Sequence, residues 1–163
     1  MSPLLIPSTP LIVATAFGPR LPAARVAAAL GRGLRGGGLP PADVCLLEAG
    51  PGTPGRAARN PRAQQLARVL AELEFDARMR AAREVVLAER LLEERTLQDS
   101  AAFEIATRAR QAGVPCYAVA ARNRLDAFDA RMLDLQVVLQ ARDAGALRAA
   151  GRRLAGLVGL PQP

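Results

Sequence analysis

Short apolar runs alternate with longer stretches whose apolar residues recur at helical spacing. Leu11-Ile12-Val13-Ala14 reads as a first buried strand, and Pro22 opens a helix carrying Val26, Ala29, Leu30 and Leu34 on one face, ended at Gly36-Gly37-Gly38. Val44-Cys45-Leu46-Leu47 is a second strand. A helix begins at Pro61 with Leu66, Val69, Leu70 and Leu73, and a short helical piece runs from Phe75-Asp76 to Arg83. Val85-Val86-Leu87-Ala88 is a third strand. The helix from Ser100 to Gln111 stops at Gly113, and strands at Pro115 to Ala120 and Leu135 to Leu139 precede a terminal helix from Ala144 to Leu157. Strands apolar on both faces, separated by helices, predict a three-layer α/β domain with a mainly parallel sheet of about five strands covered on both sides. In such sheets ligands bind beyond the carboxyl ends of the strands, so the loops after Phe17, Leu47, Ala88 and Ala120 are the expected place for a site.

Composition narrows what that site can do. All 22 basic residues among the 163 are Arg, and His is absent, so no side chain has an ordinary pKa near neutrality and no Lys is present for a Schiff base. Catalysis would rest on carboxylates, Arg and backbone dipoles. One domain is expected, with a core of Leu, Val, Ile and Ala because aromatic content is 3%. Cys45 and Cys116 lie in strand-like runs without a CxxC spacing, which predicts buried thiols, no metal and a reducing compartment. Met1 to Phe17 is apolar, but it lacks a basic n-region and is interrupted by Pro3, Pro7 and Pro10, so the expectation is a cytoplasmic protein off the membrane.

The net charge of +7 raises the question of a nucleic-acid partner. The arginines read as scattered among Glu and Asp in helix-like segments, with the densest cluster at Arg56 to Arg62, so the expectation is a solvated basic surface with no nucleic-acid partner beyond weak, salt-sensitive, non-specific charge attraction. A continuous Arg face and steep salt dependence are what the nucleic-acid reading would need.

The segments also resemble a family in their order. The run from Phe75-Asp76-Ala77-Arg78-Met79 through Glu104-Ile105-Ala106-Thr107-Arg108 and Gly113-Val114-Pro115-Cys116 to Asp129-Ala130-Arg131-Met132-Leu133-Asp134 resembles the carboxyl-terminal part of bacterial two-domain, ATP-dependent glycerate kinases. The resemblance implies a single flavodoxin/Rossmann-like domain over 1–163 whose second, inserted lobe is missing, with the Gly/Pro/Arg-rich loop 49–61 at the deletion point. It also implies Mg-ATP and glycerate as ligands of any active form. The match breaks where phosphates would be handled. The family's P-D-x-F-K-G-S-L loop is here Ala14-Thr15-Ala16-Phe17-Gly18-Pro19-Arg20-Leu21, and A-D-G-G-E-G-T is Leu47-Glu48-Ala49-Gly50-Pro51-Gly52-Thr53. The glycine-rich motif ending in Gly-Lys is Leu87 to Ser100, which keeps Glu89, Leu92, Thr96 and Leu97 but has lost both turn glycines and ends in Asp99-Ser100. Replacing a lysine beside transferring phosphate by a carboxylate opposes the developing charge, and one such loss costs about a hundredfold to a thousandfold in rate.

The candidate catalytic residues implied are Glu89 and Glu93, and the candidate substrate or phosphate contacts are Glu48, Gly50, Gly52, Thr53 and Arg122. Each has a plainer reading: Glu89 as a helix-start Glu, Glu93 as a helix-surface Glu, Gly50-Pro51-Gly52-Thr53 as a turn, Arg122 as a surface Arg. Asp126, Asp129 and Asp134 read as capping and surface residues. The expectation is a glycerate kinase-like chain with an impaired site, acting as a binding or subunit protein with a second copy or a complete kinase as partner. The alternative is a low-rate hydroxy-acid kinase using Arg for Lys.

Overall fold

Five parallel strands form one sheet in the order β2-β1-β3-β4-β5, which is the flavodoxin-like doubly wound order. The computed structural model describes residues 9–47, 61–94 and 100–158. In chain order the elements are β1 (Leu11–Ala14), α1 (Ala23–Gly36), β2 (Asp43–Leu46), α2 (Pro61–Glu72), α3 (Phe75–Ala81), β3 (Val85–Leu92), α4 (Ala101–Ala112), β4 (Cys116–Asn123), α5 (Ala127–Met132), β5 (Leu135–Gln140) and α6 (Ala144–Val158). The register aligns Leu11 with Asp43 and with Val85, Val85 with Cys116, and Cys116 with Leu135.

Alternation along the strands divides the core in two. Leu11, Val13, Val85, Leu87, Cys116 and Ala118 face a cluster with Leu70, Phe75, Met79, Ile105 and Leu133, so α2 to α5 cover that side. Ile12, Ala14, Val86, Ala88, Tyr117 and Val119 face Val26, Leu30, Leu34, Leu147 and Leu154, so α1 and α6 cover the other. Both cysteines are buried free thiols, and burial pushes Cys116 up to about 12. Among the described residues, no helix is long and apolar enough to cross a membrane.

The layers are fastened differently. Asp43 at the start of β2 takes a two-pronged bond from Arg78 of α3, Nη2 to Oδ1 at 2.5 Å and Nε to Oδ2 at 2.8 Å. That guanidinium holds the Asp43 carboxyl below its usual range. On the opposite side α1 and α6 meet backbone to backbone: a Cβ on Gly151 would lie 2.5 Å from the carbonyl of Leu30, and one on Gly33 would lie 2.9 Å from the Cα of Gly151.

Two expectations change. The short helix α5 is not announced by periodicity, because its six residues expose Phe128 and Met132 and bury none. β3 and β4 do not end at Ala88 and Ala120: they continue as a paired extension, with Glu89 opposite Ala120, Leu91 opposite Arg122 and Leu92 opposite Asn123. With both turn glycines replaced, Glu89 to Leu92 hold no residue suited to a positive-φ turn, and the ladder simply continues.

Candidate functional site

In this strand order the chain reverses direction across the sheet between β1 and β3, and the crevice beyond their carboxyl ends is where a ligand would sit. Thr15 follows β1 and spends both its donors there. Its N–H and its Oγ each donate to the carbonyl of Ala88, at 3.0 Å and 3.1 Å. The loop behind it folds into a tight turn, Leu21 N–H donating to Gly18 O at 3.1 Å and Phe17 N–H to Leu21 O at 2.9 Å, which buries Phe17. Gly18 stands at φ 147°, in the region that favours glycine, so the residue in place of the family lysine serves the turn.

Glu89 is the next residue along β3 after Ala88, and its side chain turns to the α4 side. Oε2 accepts from the N–H of Ala102 at 2.9 Å, in the first turn of α4. Ser100 caps the same helix, its Oγ accepting from Phe103 N–H at 3.2 Å. The protein's own carboxylate therefore stands where a helix N-terminus at this edge would otherwise meet a ligand anion. Burial pushes Glu89 up to about 7, only partly opposed by the Ala102 bond. A carboxyl titrating near neutrality is chemically able to give or take a proton, here beside a backbone amide it already engages.

The other sequence-predicted residues do not converge on it. Glu93 lies past the end of β3 and pairs with Arg124, Oε2 to Nη1 at 3.8 Å, joining the ends of the two extended strands. Arg122 is exposed on the β4 extension. Glu48, Gly50, Gly52 and Thr53 lie outside the described residues, as do Thr96, Leu97 and Asp99. Asp126 caps α5 by accepting from Asp129 N–H at 2.8 Å, as its sequence position suggests.

A shallow cavity of about 480 Å³ lies away from this edge, between α3 and α4. Three of its charged side chains engage one another, Arg108 donating to Glu104 at 2.8 Å and to Asp76 at 3.2 Å, and exposed Arg80 lines it beside them. Among the described residues, no group of three or more acidic or sulfur side chains is placed to hold a metal. Sequence reading missed Glu84, directly before β3, whose carboxylate is 1% exposed and has no hydrogen-bond partner. Position gives no warning of it, since a Glu preceding a strand is ordinarily solvated.

No protein-family model and no curated protein matches this chain. Solved structures align with it at low identity. A pilus assembly-related protein from Burkholderia pseudomallei is 19% identical with a TM-score of 0.47, over 91% of this chain and 90% of that one. An oxidoreductase from Corynebacterium diphtheriae is 15% identical with a TM-score of 0.45, over 93% of this chain and 96% of that one. Neither is a glycerate kinase. What the chain carries plainly is the fold: a five-stranded, parallel, flavodoxin-like α/β sheet with helices on both faces.

Proposed function

We propose that this is a glycerate kinase-like chain that works as a binding or subunit protein and does not turn over ATP at a useful rate. The observation that carries the reading is the bond from Ala102 N–H to Glu89, which puts a fixed carboxylate at the head of α4 beside the β1/β3 crevice. A nucleotide phosphate approaching there meets a negative group at high pH and an already engaged amide at any pH. Thr15, in place of the family aspartate, is committed to the Ala88 carbonyl.

Two features favour the second reading, a slow hydroxy-acid kinase with Mg-ATP as cofactor: Glu89 titrates near neutrality, and two arginines are exposed, Arg20 in the loop after β1 and Arg122 on the β4 extension. Calorimetric titration with Mg-ATP and with D-glycerate, alongside a coupled ADP-release assay, separates the two. The expected result from a folded sample is no saturable heat and no glycerate-dependent ADP. Micromolar binding with ADP release that falls at least tenfold in Glu89→Gln would overturn the proposal and make Glu89 the acid or base.

A further inference from the structure

The excess charge of this chain sits in two segments. Residues 1–42 and 141–163 hold eight Arg and one Asp, and residues 43–140 hold fourteen Arg and fourteen acidic residues. The first group supplies α1 and α6, the two helices that cover one face of the sheet, so the +7 belongs to one layer. This corrects the expectation of arginines scattered among acids: along the chain they look dispersed, but the ends of the chain meet in space.

All eight are exposed: Arg20 before α1; Arg25, Arg32 and Arg35 on it; Arg142 before α6; and Arg148, Arg152 and Arg153 on it. None forms an ion pair among the described residues, whereas Arg78, Arg83, Arg108 and Arg124 elsewhere all do. The two helices are close enough to merge their charges, since Nε of Arg152 lies 3.9 Å from where a Cβ on Gly36 would stand. The glycine contact that packs α1 on α6 is thus also what makes the Arg face continuous.

We infer that the α1/α6 face binds the phosphate backbone of duplex nucleic acid without reading its sequence. Ala24, Ala28, Gly36, Gly145, Ala149 and Gly156 are small exposed positions among the arginines, which let a polyanion approach closely, and the one acidic residue of the face, Asp143, has Oδ1 engaged by the N–H of Ala146. Of the large exposed apolar side chains among the described residues, Phe103, Phe128 and Met132 lie off these helices and only Val44 borders them, in a shallow groove beside Arg32 and Arg35, so the face has no aromatic or long apolar side chain to insert into a bilayer or anchor a protein partner. No aromatic residue lies on either helix, so single-stranded bases find no stacking platform. Arg25 to Arg35 spans about 15 Å along α1 at the helical rise, several phosphates of a duplex that carries a charge every ~1.7 Å of its axis. The guanidinium fork matches phosphate oxygens two at a time.

The test is fluorescence anisotropy of a mixed-sequence DNA duplex titrated with the full chain at several salt concentrations. Two quadruple variants of equal net charge are compared. One changes Arg25, Arg32, Arg148 and Arg152 to Gln, and the other changes Arg68, Arg80, Arg90 and Arg131 to Gln, with folding of both checked by circular dichroism. The expected result is a linear fall of log K with log salt of slope about −5, reduced by about 3 to 4 in the first variant and by less than 1 in the second. Affinity for an unrelated duplex should agree within about threefold. Equal losses in the two variants would show attraction to net charge alone and overturn the proposal. Tighter binding, at the same salt, to phosphatidylserine vesicles or to polyglutamate than to duplex would also overturn it, by assigning the face to a membrane or an acidic protein. This outcome is independent of the kinase assay, which reports on the opposite helical layer and the carboxyl edge.

Discussion

The α1/α6 layer and the α2 to α5 layer cover the two faces of one sheet and use opposite means. In the first, glycines bring two backbones together, the charge is eight Arg against one Asp, and none of those Arg forms an ion pair among the described residues. In the second, side chains fill the space between four helices, charges alternate, and Arg78 and Arg108 are each locked to acidic partners. The contrast reaches the sheet, because residues of alternating parity on β3 point to alternate layers. Glu84 shares a face with Val86 and Ala88 under the basic layer and has no hydrogen bond, while Glu89 shares a face with Val85 and Leu87 under the mixed layer and is bonded to α4. With no ion pair on its eight arginines among the described residues, the basic layer is held by apolar burial and by the close backbone fit of α1 on α6, and the fit is where it should break.

Gly33→Ala is expected to do the most damage. The new methyl would meet the backbone of α6 at Arg148, Arg152 and Gly151, atoms that cannot rotate away, and the cost should be about 3 kcal/mol, at the upper end for overpacking. Two residues earlier the sign reverses. Gly31→Ala has its nearest neighbour, Ile12 Cδ1, at 3.7 Å, so the helix gains the propensity of Ala, up to about 1 kcal/mol. In the mixed layer, Gly113→Ala should cost about 1 kcal/mol through its φ of 70° alone. Urea unfolding midpoints rank the three. Equal small effects of Gly33→Ala and Gly31→Ala would mean that the helices separate freely, and the contrast between layers would fail.

The buried carboxyls give the second effect. Burial raises Glu84 from 4.5 to about 7, with the Arg83 guanidinium, 3.7 Å away, only partly opposing it, and Glu84 in turn helps push up Tyr117. Below pH 4.5 both folded and unfolded chains hold the Glu84 proton, and its contribution to stability is fully present. Between pH 4.5 and 7 only the unfolded chain releases it, so stability falls as pH rises through that window, by about 2 to 3 kcal/mol in all. Glu89 shifts in the same direction, but the Ala102 N–H favours its ionised form and part of it is exposed. Glu84→Gln should therefore match the parent chain at pH 4.5 and exceed it at pH 8, and Glu89→Gln should gain less at pH 8. Unfolding measured at pH 4.5, 6 and 8 decides it, and a Glu84→Gln chain that keeps the full pH dependence would show that Glu84 is hydrated in solution.

Much of the architecture was legible because strand and helix carry their own periodicities. Leu11 to Ala14, entirely buried, is as apolar as it reads, and Gly113 ends α4 in the left-handed conformation expected of it. Strand length was not legible, since Glu89-Arg90-Leu91-Leu92 carries no stop signal and stands where the resembled motif has turn glycines. The site was legible only in outline. The carboxyl edge follows from fold class, but the partner of Glu89 is an amide thirteen residues along the chain, and hydrogen bonds to backbone leave no trace in residue type. The basic face was hidden for a topological reason: Arg25 and Arg148 are far apart in sequence, and only a fold that lays α6 against α1 adds their charges together.

The smallest effect tests the layers at their helix starts. α1 begins at Pro22, whose φ of −67° suits a helix entry but which offers no side-chain cap, and no acidic residue lies in its first turn. α4 begins at Ser100, with Glu89 reaching in from β3 and Glu104 in its first turn. Ser100→Ala removes the acceptor from Phe103 N–H and should cost about 1 kcal/mol. Pro22→Asp would add a cap and a negative charge at the uncapped start of α1, for a gain of about 0.5 to 1 kcal/mol. If the two helix starts differ as the structure has them, the first change lowers the urea midpoint and the second raises it. The second should also weaken duplex binding, because it places a carboxylate between Arg20 and Arg25 at the head of the basic face. A stability gain without loss of binding would confine the phosphate contacts to the far end of the two helices, around Arg32, Arg35 and Arg152.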